Sequence, residues 1–416
     1  MGFPDQSVSP NTARLVAVLV VAALTFMAAI VGLAAMTPAA GSEDELEESA
    51  HDTPSYIAAP PLPATLPGAA FDPTESIASH DGQVIVTARV EDGRTRVEFG
   101  PGSSDPTWPT VTVELEGEAQ LRAVSVEGDR AALSREIDTG SVVITIDRFR
   151  SDDGSGSVAE LSFDRTVEPE AFSTDGATLY VIDHGSLPGS YRVRSVNLDT
   201  GELSDVDGPD KFPLEEEMNG RARRQVWGPD GTRLYTLYIR QTHHHHEPAV
   251  AASAHGHPEP GTDGFVHVLD LSEEWAFCLD LPEAFGKGEL DHTALSVNSN
   301  KRELAVIDTQ AGQAAFASLD ELAITEVIDL PSELTMTDPA TNGDTRGRID
   351  GALLDEHLAL VRDGTLHWLD RATLEALGDP VALGFTEVAL FPMPPRAIQV
   401  LDMESLGDTI GYQPPS

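Results

Sequence analysis

The stretch Ala171-Phe172-Ser173-Thr174-Asp175-Gly176-Ala177-Thr178-Leu179-Tyr180-Val181-Ile182-Asp183 decides how the rest of the chain is read. An aromatic residue leads into a four-residue turn, Ser173 to Gly176, and the apolar run Leu179 to Ile182 follows before Asp183 closes it. Gly takes the positive φ of a tight turn without the clash a Cβ would bring, while Ser and Asp side chains satisfy turn amides. The run is too short for a helix and holds β-branched and aromatic residues, so it reads as a strand.

Degenerate copies of this unit recur down the chain. The turn that precedes the apolar run appears at Asp81, Glu127, Asp175, Asp230 and Asn300, and fades at Asp355 and Pro394, giving seven units spaced by 46, 48, 55, 70, 55 and 39 residues. A period of about 40 to 50 residues belongs to four-stranded sheets stacked in a ring, because one sheet cannot bury both of its faces alone and each neighbour covers one. The fold class is therefore all-β, a β-propeller of about seven blades with six or eight left open, carrying one N-terminal transmembrane helix. Hairpins are legible at Val84 to Val90 with Arg94 to Phe99 and then Val111 to Leu115, and at Ala123 to Val126 with Arg130 to Ser134 and Val142 to Ile146. Helical spacing is confined to Ala372 to Leu377. Closing the ring calls for a strand from near residues 64 to 80 to complete the last blade, since little chain remains after Val400.

The run Ser173 to Asp183, followed by Val193-Arg194-Ser195-Val196-Asn197-Leu198-Asp199-Thr200-Gly201, resembles the blade consensus of bacterial extracytoplasmic propellers of the YVTN and WD-repeat-like type. Trp227-Gly228-Pro229-Asp230-Gly231 with Leu234-Tyr235 is similar to a second copy. The resemblance covers roughly residues 76 to 410, with two units matching well and no Gly-His and Trp-Asp pair in each blade. It implies a ring fold, and such rings host enzymes, sensors and scaffolds alike.

Composition agrees with a turn-rich, core-forming chain: 416 residues, 40% hydrophobic, with 35 Gly and 29 Pro. Sixty-nine acidic residues against 26 basic ones give a formal charge of −43, which repels phosphate backbones and excludes nucleic acid as a partner. Cys278 is the only cysteine, so no intramolecular disulfide forms, and its apolar setting, Trp275 to Leu279, reads as a buried inert thiol.

Residues 1–14 form a short polar tail with a single Arg14. Residues 15–36, Leu15 to Met36, hold no charge and only Thr25 as a polar side chain. As a helix this run measures about 33 Å, enough to cross a hydrocarbon core of about 30 Å. Its length and the lack of a basic cluster before it favour a retained signal anchor, and Ala39, Ala40 and Gly41 leave a cleaved and secreted form open. Arg14 before the span and no Lys or Arg after it until Arg89 put the N-terminus in the cytoplasm and the bulk of the chain outside. Residues 37–75 read as an acidic, Pro-rich linker, and residues 76–416 as the propeller, with a His-rich insertion over 241–264.

That insertion accounts for the 70-residue spacing. His243, His244, His245, His246, His255 and His257 are candidate ligands for Zn, Cu or Ni, with Glu247 or Glu259 as an oxygen donor. Its Pro, Gly and Ala content equally describes a solvated low-complexity loop. Asp205-Val206-Asp207-Gly208-Pro209-Asp210 suggests a calcium loop only superficially, because its sixth position is Asp210 where an EF-hand needs Gly. No G-x-S-x-G, H-E-x-x-H, Walker A, dinucleotide or C-x-x-C motif is present, so no catalytic or cofactor-binding residue is assigned. His184, His292, Asp183, Asp291 and Asp308 qualify by residue type alone, and each also reads as an ordinary turn or edge residue. The expected function is a membrane-anchored extracytoplasmic propeller that binds a protein or small molecule in the cell envelope. A propeller lactonase or hydrolase, with a metal or carboxylate site at the channel mouth, is the alternative, and metal handling by the His-rich loop is compatible with either.

Overall fold

Why the apolar run is unbroken becomes clear from what lies on each side of it. In the computed structural model, Thr178–Asp183 is the second strand of its sheet. Leu179 and Val181 pack with Ala132 and Val143 of the preceding sheet, whereas Tyr180 and Ile182 pack with Tyr238 and Phe265 of the following one. Alternate side chains leave a strand on opposite faces, so a sheet sandwiched between two neighbours needs apolar residues at every position.

The chain divides into two compact units, Met1–His51 and Asp52–Ser416, and the described residues all belong to the second. The structure describes residues 76–414 apart from 81–82, 102–109, 150–155, 185–189, 210–217, 220–221, 240–263, 336–348, 384–387, 394–396, 403–408 and 413. The expected tail, membrane span and linker lie outside the described residues. Among the described residues no helix is long and apolar enough to cross a membrane.

Seven antiparallel sheets follow one another in chain order. The first contains Ser76–Ala78, Val84–Glu91, Arg94–Pro101 and Val111–Glu116, and the second Gln120–Val124, Arg130–Ile137, Gly140–Asp147 and Ser157–Phe163. The third contains Val167–Phe172, Thr178–Asp183, Ser190–Asn197 and Leu203–Asp205, with Met218–Asn219 also pairing Ser190–Asn197. The fourth contains Ala222–Trp227, Arg233–Ile239, Gly264–Asp270 and Trp275–Asp280, and the fifth Thr293–Asn298, Glu303–Asp308, Gln313–Ser318 and Ala323–Asp329. The sixth contains Asp350–Leu353, His357–Arg362, Thr365–Asp370 and Val381–Ala382, and the last Val388–Met393, Ala397–Asp402 and Thr409–Tyr412. Leading strands of consecutive sheets pack on one another, as in the second and third, fourth and fifth, and fifth and sixth sheets. This is the β-propeller arrangement: repeated sheets, each covered by its neighbours.

The turns read from sequence at Glu127, Asp175, Asp230, Asn300 and Asp355 fall between the first and second strands of a sheet, those at Asp81 and Pro394 lie outside the described residues, and both sets of hairpins are present. The repeated apolar run is the second strand of its sheet, and the strand ahead of it leads the sheet. Of the stretch near residues 64 to 80 expected to close the ring, 64–75 lie outside the described residues, and Ser76–Ala78 pairs with Val84–Glu91 in the first sheet. One reading needs correction. Ala372 to Leu377 is not a helix: Asp370 caps a turn through the N–H groups of Ala372 and Thr373, Leu374 takes φ of 54°, and Ala376 bridges back to Leu369. Among the described residues the single helical element is the 3₁₀ turn Leu290–His292.

The recurrent Asp or Asn that closes a strand has a shared job. Asn197, Asp270, Asn298, Asp308 and Asp370 each accept two N–H bonds from the turn just after them. Arginines then tie sheets together. Arg130 of the second sheet donates to Gly176 O of the third, and Arg233 of the fourth to Leu319 O of the fifth at 3.0 Å. Arg371, just after the third strand of the sixth sheet, grips both oxygens of Glu303 in the fifth at 2.9 and 2.5 Å, pairs with Glu326 at 3.0 Å and lies over the Phe316 ring.

First and second strands meet at one end of the fold, the turn end. There His80 donates its N–H to Val126 O at 3.1 Å and sets Nε2 3.0 Å from Gly228 O. Gly231 is held here at φ of +69°, and a Cβ on it would lie 2.9 Å from Val126 and 3.0 Å from His80. Turns of the first, second and fourth sheets thus converge. The opposite end, where sheets begin and second strands finish, is the entry end.

Removing one member of a largely buried ion pair leaves its partner charged without compensation. Arg371→Ala is expected to cost roughly 2–4 kcal/mol in urea unfolding of the full chain, against under about 0.5 kcal/mol for Arg96→Ala, whose pair with Glu98 is solvent-exposed. Equal losses would remove Arg371 as an inter-sheet clamp.

Candidate functional site

Two leading strands each carry a charged residue at a β-bulge. In the second sheet Leu121 faces Leu133 and Ala123 faces Ala132, so Arg122 is the extra residue. In the third sheet Ala171 faces Tyr180 and Pro169 faces Val181, so Glu170 is the extra one. A bulge re-aims its side chain, and Pro169 suits the position because it has no N–H to give the ladder.

Glu170 turns into the interface with the fourth sheet and is 2% exposed. Its Oε1 accepts the Tyr238 hydroxyl at 3.1 Å and the Thr236 hydroxyl at 3.3 Å, and lies 3.6 Å from His267 Nδ1. His267 is 1% exposed and neither ring nitrogen has a hydrogen-bond partner among the described residues. Tyr238 stacks on Phe265 and contacts Tyr191, which in turn contacts His184. This is a buried polar seam in an aromatic wall.

Arg122 turns the other way, to the entry end. It donates to Gln120 Oε1 at 2.6 Å and Ser134 Oγ at 3.2 Å, and pairs with Glu168 of the third sheet at 3.5 Å. Glu168 also lies 3.2 Å from His184 Nε2, without the alignment of a hydrogen bond. Beside this chain opens a cleft of about 370 Å³ where the first three sheets meet. Ala119 and Val167 are buried in its floor, Val90 forms a half-exposed lip, and Glu118, Glu136 and Glu168 supply carboxylates. Such a concave site, built on rigid strands with a few directed polar groups, can hold a ligand.

The candidates named by residue type are spread over the fold. His184 reaches the Arg122–Glu168 chain. Asp183 is bracketed by Arg165 at 3.5 Å and Arg194 at 3.4 Å. Asp308 is committed to its turn, accepting N–H groups from Gly286, Gln310 and Ala311, while burial pushes its carboxyl above the usual range. Burial likewise holds His292 below the ordinary imidazole value, and Asp291 gives its carbonyl to Ile349 N–H. His184, His292, Asp183, Asp291 and Asp308 do not assemble into one constellation. Asp205 ends the strand Leu203–Asp205 and pairs with Arg194 at 3.1 Å, and Asp207 bridges to Trp275, so the described residues 205–209 of the calcium-like segment belong to a strand end and the connection after it. His243, His244, His245, His246, His255 and His257 lie outside the described residues. Among the described residues no three His, Cys, Asp or Glu side chains gather as metal ligands. Cys278 is buried against Met218 Sδ at 3.7 Å, and burial pushes its thiol up to about 12.

Sequence reasoning passed over Arg122, Glu168, Glu170 and His267. The visible signal was a charge inside a short apolar run, Leu121-Arg122-Ala123 and Pro169-Glu170-Ala171, but which sheet each would face depended on the bulge.

No family model matches the chain, and no curated protein matches it in sequence. In three dimensions it is similar to the structure of the Dos1 propeller, at 10% identity over 82% of this chain and 77% of that one, with a TM-score of 0.45. It is similar to a chain from a structural and mechanistic study of two prolyl endopeptidases, at 13% identity over 84% of this chain and 50% of that one, TM-score 0.41. It is also similar to TolB from Acinetobacter baumannii, at 12% identity over 60% of this chain and 52% of that one, TM-score 0.34. The chain spans about half the length of the last two. These likenesses carry no functional argument, and the fold rests on the sheets described above.

Two measurements probe the buried seam. Glu170→Ala strips an acceptor from two buried hydroxyls and is expected to cost about 2–3 kcal/mol of stability by urea unfolding; a change below about 0.5 kcal/mol would show that the seam contributes nothing. Cys278 is expected to resist a thiol-specific disulfide reagent at pH 8 in the folded protein and to react fully in concentrated guanidinium, whereas rapid reaction in the folded state would show an open interface.

Proposed function

We propose that this protein is a single-pass, membrane-anchored extracytoplasmic β-propeller with seven blades, one for each sheet, that acts as a binding or scaffold module in the cell envelope. The observation that carries the binding role is the entry-end cleft of about 370 Å³, whose walls come from three sheets and whose cation is already fixed by neighbouring side chains. A site assembled from separate blades on a rigid ring is suited to recognition without moving parts. The anchor rests on the uncharged run Leu15 to Met36 and the topology on the distribution of Lys and Arg around it. Of the acids named by residue type, Asp183 is engaged by Arg165 and Arg194 and Asp308 by its turn, so neither of these supports the lactonase or hydrolase alternative.

Metal handling by the His-rich insertion is favoured by one further observation. The strand ends that flank it, Ile239 and Gly264, pair with each other at the entry end, the same end as the cleft. Full-length protein and a variant lacking residues 243 to 257 are to be titrated with zinc in detergent. A loss of at least about tenfold in affinity on deletion is expected if those imidazoles are the ligands; equal affinities would remove the loop from metal handling.

Binding is tested by placing a photo-crosslinking residue at Gln120, on the cleft, and in a second protein at Glu321, at the turn end of the fifth sheet. Adducts in intact cells are expected from position 120 and not from 321. Adducts from both or from neither would overturn the cleft as the binding site. In the same cells the C-terminus should be protease-accessible from outside, and the chain should stay with membranes in alkaline carbonate; a soluble or protected chain would overturn the topology.

A further inference from the structure

We infer that the entry-end cleft docks a basic side chain, arginine or lysine, presented by an extended segment of a partner protein. This rests on the binding role proposed above and names the chemistry of its partner. Three independent features converge on it.

The first is uncompensated charge. Arg122, the cation that lines the cleft, is held by Gln120, Ser134 and Glu168. Arg135, next to Glu136 in sequence, is directed elsewhere, to Glu116 O at 2.6 Å and Glu160 at 3.1 Å. Glu118 and Glu136 line the cleft with no hydrogen bond or ion pair among the described residues. Two carboxylates lining a concave wall gain more from an incoming cation than the same pair on an open surface, because the wall excludes part of the screening water.

The second is the shape of the wall. The floor is apolar at Ala119 and Val167, and the lip at Val90 is 50% exposed. Ile137, adjacent to Glu136 at the same strand end, is 42% exposed. An apolar floor with carboxylates at the rim matches a side chain that is aliphatic along its stem and cationic at its tip. An inorganic cation would gain nothing from the floor, and among the described residues no three ligand side chains gather to hold one. The flanking Val90 and Ile137 add apolar contact for residues on either side of the basic one, which a free amine cannot use.

The third is long-range complementarity. A chain of formal charge −43 draws cationic segments from solution and repels acidic ones, so encounter and docking favour the same partner.

The test uses the full-length protein in neutral detergent and a fluorescent peptide with two arginines separated by one leucine. Controls are its lysine counterpart, a version with glutamates replacing the arginines, and free arginine amide as competitor. The arginine and lysine peptides are expected to bind, more weakly as salt rises, and the glutamate version is not. The double variant Glu118→Gln with Glu136→Gln should weaken binding by about tenfold and flatten the salt dependence, and Glu118→Lys with Glu136→Lys should abolish it. These residues are surface-exposed, so unchanged melting curves are expected for both variants. Unchanged affinity in the Gln variant, equal binding of the glutamate peptide, or arginine amide competing as well as the peptide would each overturn the inference. Crosslinking from Gln120 without binding of basic peptides would sink this assignment and leave the binding role standing; loss of both would remove the two together.

Discussion

The second strands of the third, fourth and fifth sheets are apolar on both faces, and from that one constraint much of the structure follows. Val181 and Tyr180 are consecutive residues buried against different neighbours, so no sheet can be stable in isolation. The requirement selects side chains strictly in the second strands, where Leu179 to Ile182, Leu234 to Ile239 and Leu304 to Ile307 are buried throughout. It relaxes toward the outer strands, where Ser157–Phe163 and Ala323–Asp329 carry exposed and half-exposed residues. Inter-sheet arginines reinforce the stacking, and closing Asp and Asn residues fix where each strand stops.

Within such a fold two charged residues of the leading strands, Arg122 and Glu170, owe their placement to bulges. By inserting one residue into a leading strand, the chain turns Glu170 toward hydroxyls across an interface and Arg122 toward the mouth of the cleft. One device therefore serves two ends: inside the wall it builds a polar seam that specifies how the third and fourth sheets meet, and at the rim it positions a recognition element. Polar chemistry is concentrated where the repeat is broken, as expected when regular positions are fully occupied by packing.

The architecture was legible because its signal is local and repeated. A turn before four to six apolar residues needs no knowledge of partners, and the five instances among the described residues mark the same connection. The helix expected over Ala372 to Leu377 was misread because spacing alone does not register an Asp-capped turn and a positive φ at Leu374. The site was the least legible part. Glu118, Arg122, Glu136 and Glu168 are scattered over about fifty residues, and only the ring brings them to one cleft.

The convergence of turns at His80 couples sheets that are distant in the chain. The first sheet's loop reaches Gly228 in the fourth as well as Val126 in the second. They meet beside a glycine whose side-chain hydrogen leaves just enough room, because a methyl on Gly231 would strike both Val126 and His80. One added carbon there would press on two other sheets at once, so the smallest residue is the gauge that sets their spacing.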